Sequence, residues 1–238
     1  VPNHYFQFKQ FTVWQEHTAM KVCTDACLFG AWLANQIQDH PSIAHCLDIG
    51  TGTGLLSLIL AQKIDANIDA LEIEAAAAQQ AKENFASSPF ANRLNVFESD
   101  INQWQASKRY QLVFSNPPFY ENDLASPNDK RNLAHHSSAL TLEDLFLAMN
   151  RLVEPTGQMS MILPFYRREA AIQHALNLDW YVSAEATIYQ TEKHKAFRSF
   201  LLFSQTRKTP FAHEIIIRQN GVYSQAFIAL LKDYYLAF

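Results

Sequence analysis

The chain has only three cysteines in 238 residues, Cys23, Cys27 and Cys46, too few and odd in number for a disulfide framework. It lacks a basic start followed by an apolar run, so no secretory leader is expected and the cytoplasm is the default compartment. Long hydrophobic stretches are missing too. Gly54 to Ala61 and Phe227 to Leu231 fall far short of the ~20 residues of a membrane span, so no membrane partner is expected. Positive charge is not in excess: 19 Lys+Arg against 23 Asp+Glu leave a net charge of -4, which argues against the indiscriminate grip on nucleic acid of a strongly basic domain. There is no Pro/Gly/Ser linker, low-complexity segment or fixed-period repeat. What remains is a 27.2 kDa chain with 48% hydrophobic and 18% charged residues, able to bury a substantial core unaided.

The average charge hides a gradient. Residues 1–150 carry 9 Lys/Arg against 16 Asp/Glu, whereas 151–238 carry 10 against 7, so a local basic surface is confined to the last third. Alternation of Phe6 and Phe8, then Phe11 and Val13, predicts short extended segments over a core edge, and three-and-four spacing predicts a helix from about Asp25. From residue 45 the pattern repeats. "HCLDIG", "ANIDALEIE", "NRLNVFESD" and "YQLVFSNPPF" read as strands, with helices "TGLLSLILAQK" and "AAAAQQAKENFASS" between the first three. After a polar loop at 121–138, Thr141 and Asp144 stand in capping-box positions for a helix that Pro155 and Gly157 should end, followed by strand "QMSMILP". This βαβ alternation predicts a mostly parallel sheet with helices on both faces. A further helix over 167–176 is followed by an antiparallel pair, "WYVSAEATIYQ" and "KAFRSFLLFSQ", with residues 213–218 at an edge.

Chemistry concentrates at the ends of the early strands. In "LDIGTGTG", Gly50, Gly52 and Gly54 let backbone amides approach a ligand, and Asp48 can organise the loop or accept from the ligand; a structural turn would also use glycine. No Lys-Ser or Lys-Thr pair follows the last glycine, which argues against a nucleotide triphosphatase. Glu72, 18 residues after Gly54, is placed to accept ribose hydroxyls, and Glu74 to favour a helix start. Asp100 with Ile101 can meet an adenine, although a surface turn would look alike. Asn116 and Pro117 offer carbonyl oxygens to an amino group, Pro118 stiffens the turn and Phe119 offers a stacking ring; the alternative is a rigid strand-ending turn with an aromatic plug.

Taken in order, "LDIGTGTG", "ALEIE", "ESDI" and "SNPPF" resemble the successive motifs of class I S-adenosylmethionine-dependent methyltransferases, in the branch that modifies amino groups. Over nearly its full length the chain resembles the bacterial tRNA adenine-N6 methyltransferases acting on adenosine 37 of tRNA1(Val), with "FKQFTVWQEHTAMKVCTDACLFGAW", "RNLAHHSSALTLEDLF" and "TEKHKAFRSFLLF" matching flanking segments. The resemblance implies a Rossmann-like α/β fold with a seven-stranded, mostly parallel sheet, a C-terminal antiparallel hairpin, and an N-terminal segment (1–44) closing the cofactor pocket of a core over 45–238. It implies S-adenosyl-L-methionine as cofactor, S-adenosyl-L-homocysteine as product and tRNA as partner, with no metal and no obligate protein partner. Asp48, Gly50, Thr51, Gly52, Gly54, Glu72, Asp100, Ile101 and Asn116 would hold the cofactor, with Lys21 and Thr24 from the closing segment near Asp25. Asn116, Pro117, Pro118 and Phe119 would form the catalytic amino site, and Phe119, Arg131, His135, Lys193, Lys195 and Arg198 the substrate contacts. Two positions depart from the family pattern: Cys23 replaces a usual glycine, and Phe119 stands where tyrosine is frequent, keeping the stacking face without the hydroxyl. The competing activity is N5-methylation of a protein glutamine, another planar nitrogen; those enzymes carry a helical substrate domain for which residues before Leu47 leave no room.

Overall fold

The computed structural model describes residues 3–18, 20–38, 43–117 and 140–237. The polar loop expected at 121–138 lies outside them. A hairpin, β1 (Tyr5–Gln7) and β2 (Thr12–Trp14), precedes helix α1 (Thr24–Ile37). Then follow β3 (His45–Ile49), α2 (Leu55–Ala61), β4 (Asn67–Glu72), α3 (Ala75–Ala86), β5 (Leu94–Glu98) and β6 (Tyr110–Ser115). After α4 (Leu142–Leu152) come β7 (Val153–Pro164), α5 (Arg168–Leu176), β8 (Tyr181–Thr191), β9 (Ala196–Ser204), β10 (Phe211–Gln219), β11 (Val222–Tyr223) and α6 (Gln225–Leu231).

Among the described residues, nine strands form the main sheet, in the order β11-β10-β8-β9-β7-β6-β3-β4-β5. The expected seven are β3 to β9, parallel except for β9, which runs antiparallel to both its neighbours. The count of seven is corrected to nine because β10 adds in parallel to β8 and β11 folds back on β10. Both faces of the central strands are covered, and β3, β6 and the second half of β7 are buried almost throughout for that reason. Cys46, Ile68, Ala70, Ile162, Phe200 and Leu202 pack under α1, α2 and α6, whereas Leu47, Leu71, Met161, Leu201 and Phe203 pack under α4 and α5.

α1 is buried along most of its length, and Gly30 brings it against α2 so closely that a Cβ there would lie 3.0 Å from Ile59 Cγ2. Phe8, Phe11 and Val13 of the opening hairpin join the same core, as do Phe227, Leu231 and Tyr234 near the C-terminus. The capping box of α4 is formed, with the Asp144 N–H donating to Thr141 Oγ1 at 3.0 Å and the Thr141 N–H to Asp144 Oδ2 at 3.2 Å. The helix does not run to Pro155, however; it stops at Leu152 and β7 begins at Val153. Pro155 and Gly157 fall within a bulge, since Tyr110 pairs with Val153 but Leu112 with Gln158. Gly157 is needed there, because a Cβ would stand 2.9 Å from the Gln111 carbonyl oxygen.

Candidate active site

Register places the motifs along one edge of the sheet. Ile49, the last residue of β3, pairs with Leu71 on one side and with Ser115 on the other, and Glu72 pairs with Glu98. The glycine loop therefore leaves the sheet between Glu72 and Asn116, with Asp100 one strand further out. Ser115 closes the seam by donating its hydroxyl to the Ile49 carbonyl at 2.8 Å. A crevice at the carboxyl ends of parallel strands is where open α/β sheets bind ligands.

Within the loop, Gly50, Gly52 and Gly54 have φ of +70°, +57° and +82°, in the left-handed region that disfavours side chains. Their surroundings differ. A Cβ on Gly50 or Gly52 would meet nothing within 4 Å, but one on Gly54 would sit 2.4 Å from the Phe85 ring. The first two glycines leave a cradle open for a ligand, while the third lets the start of α2 sit against the Phe85 ring of α3. The Gly50 and Thr51 amides donate to the Leu71 carbonyl at 2.9 Å each.

Asp48 lies wholly buried below this loop. Its Oδ2 accepts from Thr51 Oγ1 at 2.7 Å and Ser57 Oγ at 2.8 Å, while Oδ1 finds no hydrogen-bond partner among the described residues. Burial pushes the carboxyl up to about 6, against the hydroxyl bonds that favour ionisation and with the Glu72 charge adding to the rise. A buried carboxylate with an unused oxygen suits a site that receives positive charge.

Glu72, nearly buried, already accepts three backbone N–H groups: Gly52 to Oε2 at 2.8 Å, and Ile73 and Glu74 to Oε1 at 2.9 and 3.0 Å. It shapes the loop besides presenting a carboxylate to the crevice. Glu74 precedes α3 as its N-cap residue. Asp100 holds a turn, its Oδ1 accepting from the Asn102 N–H at 2.9 Å, and Ile101 is buried in the cluster with Ile49 and Leu71. Asn116 is half-buried and Pro117 buried where β6 ends. Pro118, Phe119, Arg131 and His135 lie outside the described residues.

Lys21 donates to the carbonyls of Gln15 and Thr18, and Thr24 is exposed at the start of α1. Asp25 Oδ2 accepts from Arg198 Nε at 2.7 Å, so Arg198 ties β9 to α1. Lys193 and Lys195 are exposed in the β8–β9 turn. Because Pro164 pairs with Arg198 and Arg198 with Ile188, that turn projects from the same carboxyl edge as the glycine loop. The cysteines are free thiols; burial pushes Cys23 and Cys27 up to about 12, which leaves them unreactive at neutral pH.

Three contributors escape a reading of the sequence alone. Asn84 of α3 donates to the Trp14 and Thr53 carbonyls at 2.8 Å and accepts from the Trp14 N–H at 2.9 Å, fastening the opening hairpin to the glycine loop. Arg151 of α4 donates to the carbonyls of Ile101 and Trp104 at 2.9 Å each and fixes the turn after β5. Ile73 is 60% exposed directly after Glu72, an apolar surface at the mouth of the crevice. Only Ile73 had a visible signal, its place beside Glu72; the other two depend on contacts across 47 residues or more for Arg151 and 31 or more for Asn84.

The chain matches the family model described as methyltransferase small domain over residues 29–164. It is 41% identical over 245 aligned residues to the tRNA1(Val) (adenine(37)-N6)-methyltransferase of Dyadobacter fermentans, covering 99% of each chain. A predicted O-methyltransferase from Agrobacterium tumefaciens shares the fold with a TM-score of 0.66 at 17% identity, over 87% of this chain and 95% of that one. A glycopeptide N-methyltransferase solved with S-adenosyl-L-methionine aligns with a TM-score of 0.55 at 10% identity, over 75% of this chain and 88% of that one. With its glycine loop, acidic strand ends and Asn116–Pro117 on one sheet edge, this chain belongs to the methyltransferase small domain family and, within it, to the tRNA1(Val) (adenine(37)-N6)-methyltransferases.

Proposed function

We propose that the protein transfers a methyl group from S-adenosyl-L-methionine to N6 of adenosine 37 in the anticodon loop of tRNA1(Val), leaving S-adenosyl-L-homocysteine. The observation that carries this reading is the register that sets Gly50–Gly54 between Glu72 and Asn116. The residues present fit that cofactor. Gly50 and Gly52 leave room for it, Glu72 and Asp100 are carboxylates at the adjoining strand ends, and Asp48 favours a cation nearby. When bound, the cofactor supplies an electrophilic methyl group on a sulfonium.

The chain's own part is placement. The adenine N6 lone pair is delocalised into the ring, so the amino group is a weak nucleophile. The Asn116 side-chain oxygen and the Pro117 carbonyl would accept its two hydrogens and hold the nitrogen in line with the methyl group, so that rate comes from orientation and dipoles. As the N–C bond forms and the bond from sulfur to the methyl group breaks, the nitrogen would give up one proton to bulk solvent. Pro118 would stiffen this turn and Phe119 would stack on the flipped base, offsetting part of the unstacking cost. Lys21 and Thr24 would close the pocket from the N-terminal segment, which Asn84 already fastens to the loop. Arg131 and His135 would approach the substrate, as would the basic turn at 193–195. The enzyme would work in the cytoplasm with its tRNA.

The test is methyl transfer into total tRNA from cells lacking this protein, followed by nucleoside analysis and position mapping. N6-methyladenosine at position 37 of tRNA1(Val) is the expected product. A glutamine-containing protein run in parallel decides the competing activity: methylation there and not in tRNA would overturn the reading.

A further inference from the structure

The turn after β7 serves no step in the chemistry above, and its composition is unusual for a solvent-facing connection. Phe165–Arg167 form one 3-10 turn between Pro164 and α5. Phe165 is 37% exposed and Tyr166 62%, although each is a large ring that burial would favour. The Arg167 guanidinium lies over the Tyr166 ring, 5.9 Å from its centroid. The base of the turn is tied to β8. Arg168 donates from Nε and Nη2 to Glu185 Oε2 on β8 at 3.0 and 2.7 Å, and α5 continues directly from it.

Position gives these rings a use. Met161 of β7 pairs with Ser115, the residue before Asn116, so the turn after β7 leaves the sheet one strand away from the amino-group site. On its other side Pro164 pairs with Arg198, in the strand that begins just after exposed Lys193 and Lys195. Among the described residues, the rim therefore runs from Asn116 and Pro117 through two exposed rings and a guanidinium to two exposed lysines, with the acidic Glu169 and Glu192 exposed along it.

We propose that Phe165, Tyr166 and Arg167 form a stacking shelf for an unpaired base adjacent to the target adenosine, while Lys193 and Lys195 meet the phosphates of the same strand. The proposal rests on the reading of the protein as an RNA methyltransferase and adds how the loop is held outside the pocket. Flipping one adenosine leaves its neighbours with exposed faces. An aromatic ring beside a planar guanidinium takes such a face whatever the base, and nearby ammonium groups match the backbone charge. Charge complementarity thus favours single-stranded RNA as the occupant over an apolar protein surface.

The test uses the full chain and an RNA stem-loop of the anticodon-arm sequence, with 2-aminopurine replacing the base on either side of the target adenosine. Stacking on the shelf should quench one of the two labelled RNAs with wild-type protein and with Tyr166→Phe. Tyr166→Ala should lose that quenching and raise KM for the stem-loop about tenfold, with a smaller change in kcat. Binding of S-adenosyl-L-homocysteine checks the fold; if Tyr166→Ala loses it, Tyr166→Leu, which keeps apolar bulk without a π-face, replaces it in the comparison. Wild-type quenching and KM in the folded variant would overturn the shelf while leaving the RNA activity standing. A wild-type protein that methylates a glutamine peptide and not the stem-loop would overturn the RNA reading and the shelf together.

Discussion

At the scale of single residues, Asp48 shows how a site stores readiness at the expense of stability. Its ordinary value of 3.8 is raised to about 6, chiefly by burial, so the fold favours the protonated acid. The corresponding stability is fully present below the ordinary value and is lost as pH rises through about 6, a change of up to about 3 kcal/mol. Asp48→Asn removes the titration. Urea unfolding at pH 5 and pH 8 should therefore show a smaller stability difference for the variant than for wild type, and equal differences would mean that Asp48 is not the titrating group. The role proposed for Asn116 is of the opposite kind, felt at the transition state. Asn116→Ala should depress single-turnover methyl transfer by about 10² or more while S-adenosyl-L-methionine affinity falls much less; collapsed cofactor binding with normal transfer would leave the residue a cofactor contact alone. Both residues stood out as candidates in the sequence because their neighbours are local: three of the chain's six glycines fall between 50 and 54, and two prolines follow Asn116. Asn84 and Arg151 did not, since an Asn or Arg on a helix looks the same whether it faces solvent or a loop folded back from elsewhere in the chain.

At the scale of elements, the turn from β3 into α2 separates two jobs that glycine performs under one motif. Gly52 faces open space and Gly54 faces Phe85, yet both have positive φ. Gly54→Ala adds an overpacking clash to the left-handed penalty and should destabilise the protein by roughly 2 to 5 kcal/mol. Gly52→Ala carries the backbone penalty alone, about 1 to 2 kcal/mol, but its methyl group projects into the cradle and should cut cofactor affinity. Thermal melts without cofactor alongside direct binding distinguish the two, and equal loss of stability would sink the division of roles. The periodicity of residues 45–115 made this βαβ stretch readable, and the late antiparallel pair was readable from its β-branched and aromatic runs. The start of β7 was not. Pro155 and Gly157 look like the end of a helix, and only pairing with β6 shows that the strand has begun at Val153 and bulges around them. The parallel joining of β10 to β8 was equally hidden, because an edge segment's direction depends on which strand it meets.

At the scale of the whole molecule, a protein of net charge -4 would bind a polyanion through a part of its surface, and topology brings two exposed cations to the edge that holds the candidate site. The antiparallel turn between β8 and β9 returns to the carboxyl edge, carrying exposed Lys193 and Lys195 to the side of the sheet that holds the glycine loop and Asn116. Arg198 belongs to the same edge but is engaged with Asp25, where both side chains are mostly covered. The three cations should therefore behave differently when removed. Lys193→Ala with Lys195→Ala should weaken tRNA binding and lower the slope of log affinity against log salt by about 1 to 2, with the melting temperature and S-adenosyl-L-methionine affinity nearly unchanged. Arg198→Ala leaves the Asp25 carboxylate without its guanidinium and loosens β9 from α1. It should cost about 1 kcal/mol of stability, a value discounted for the partial exposure of the pair, and change the salt slope less than the double lysine variant. Titrations of tRNA at several salt concentrations, paired with melts of each variant, check both halves. A salt slope that moved with Arg198 and not with the two lysines would place the RNA backbone against α1, and would reject the β8–β9 turn as the part of the edge that grips it.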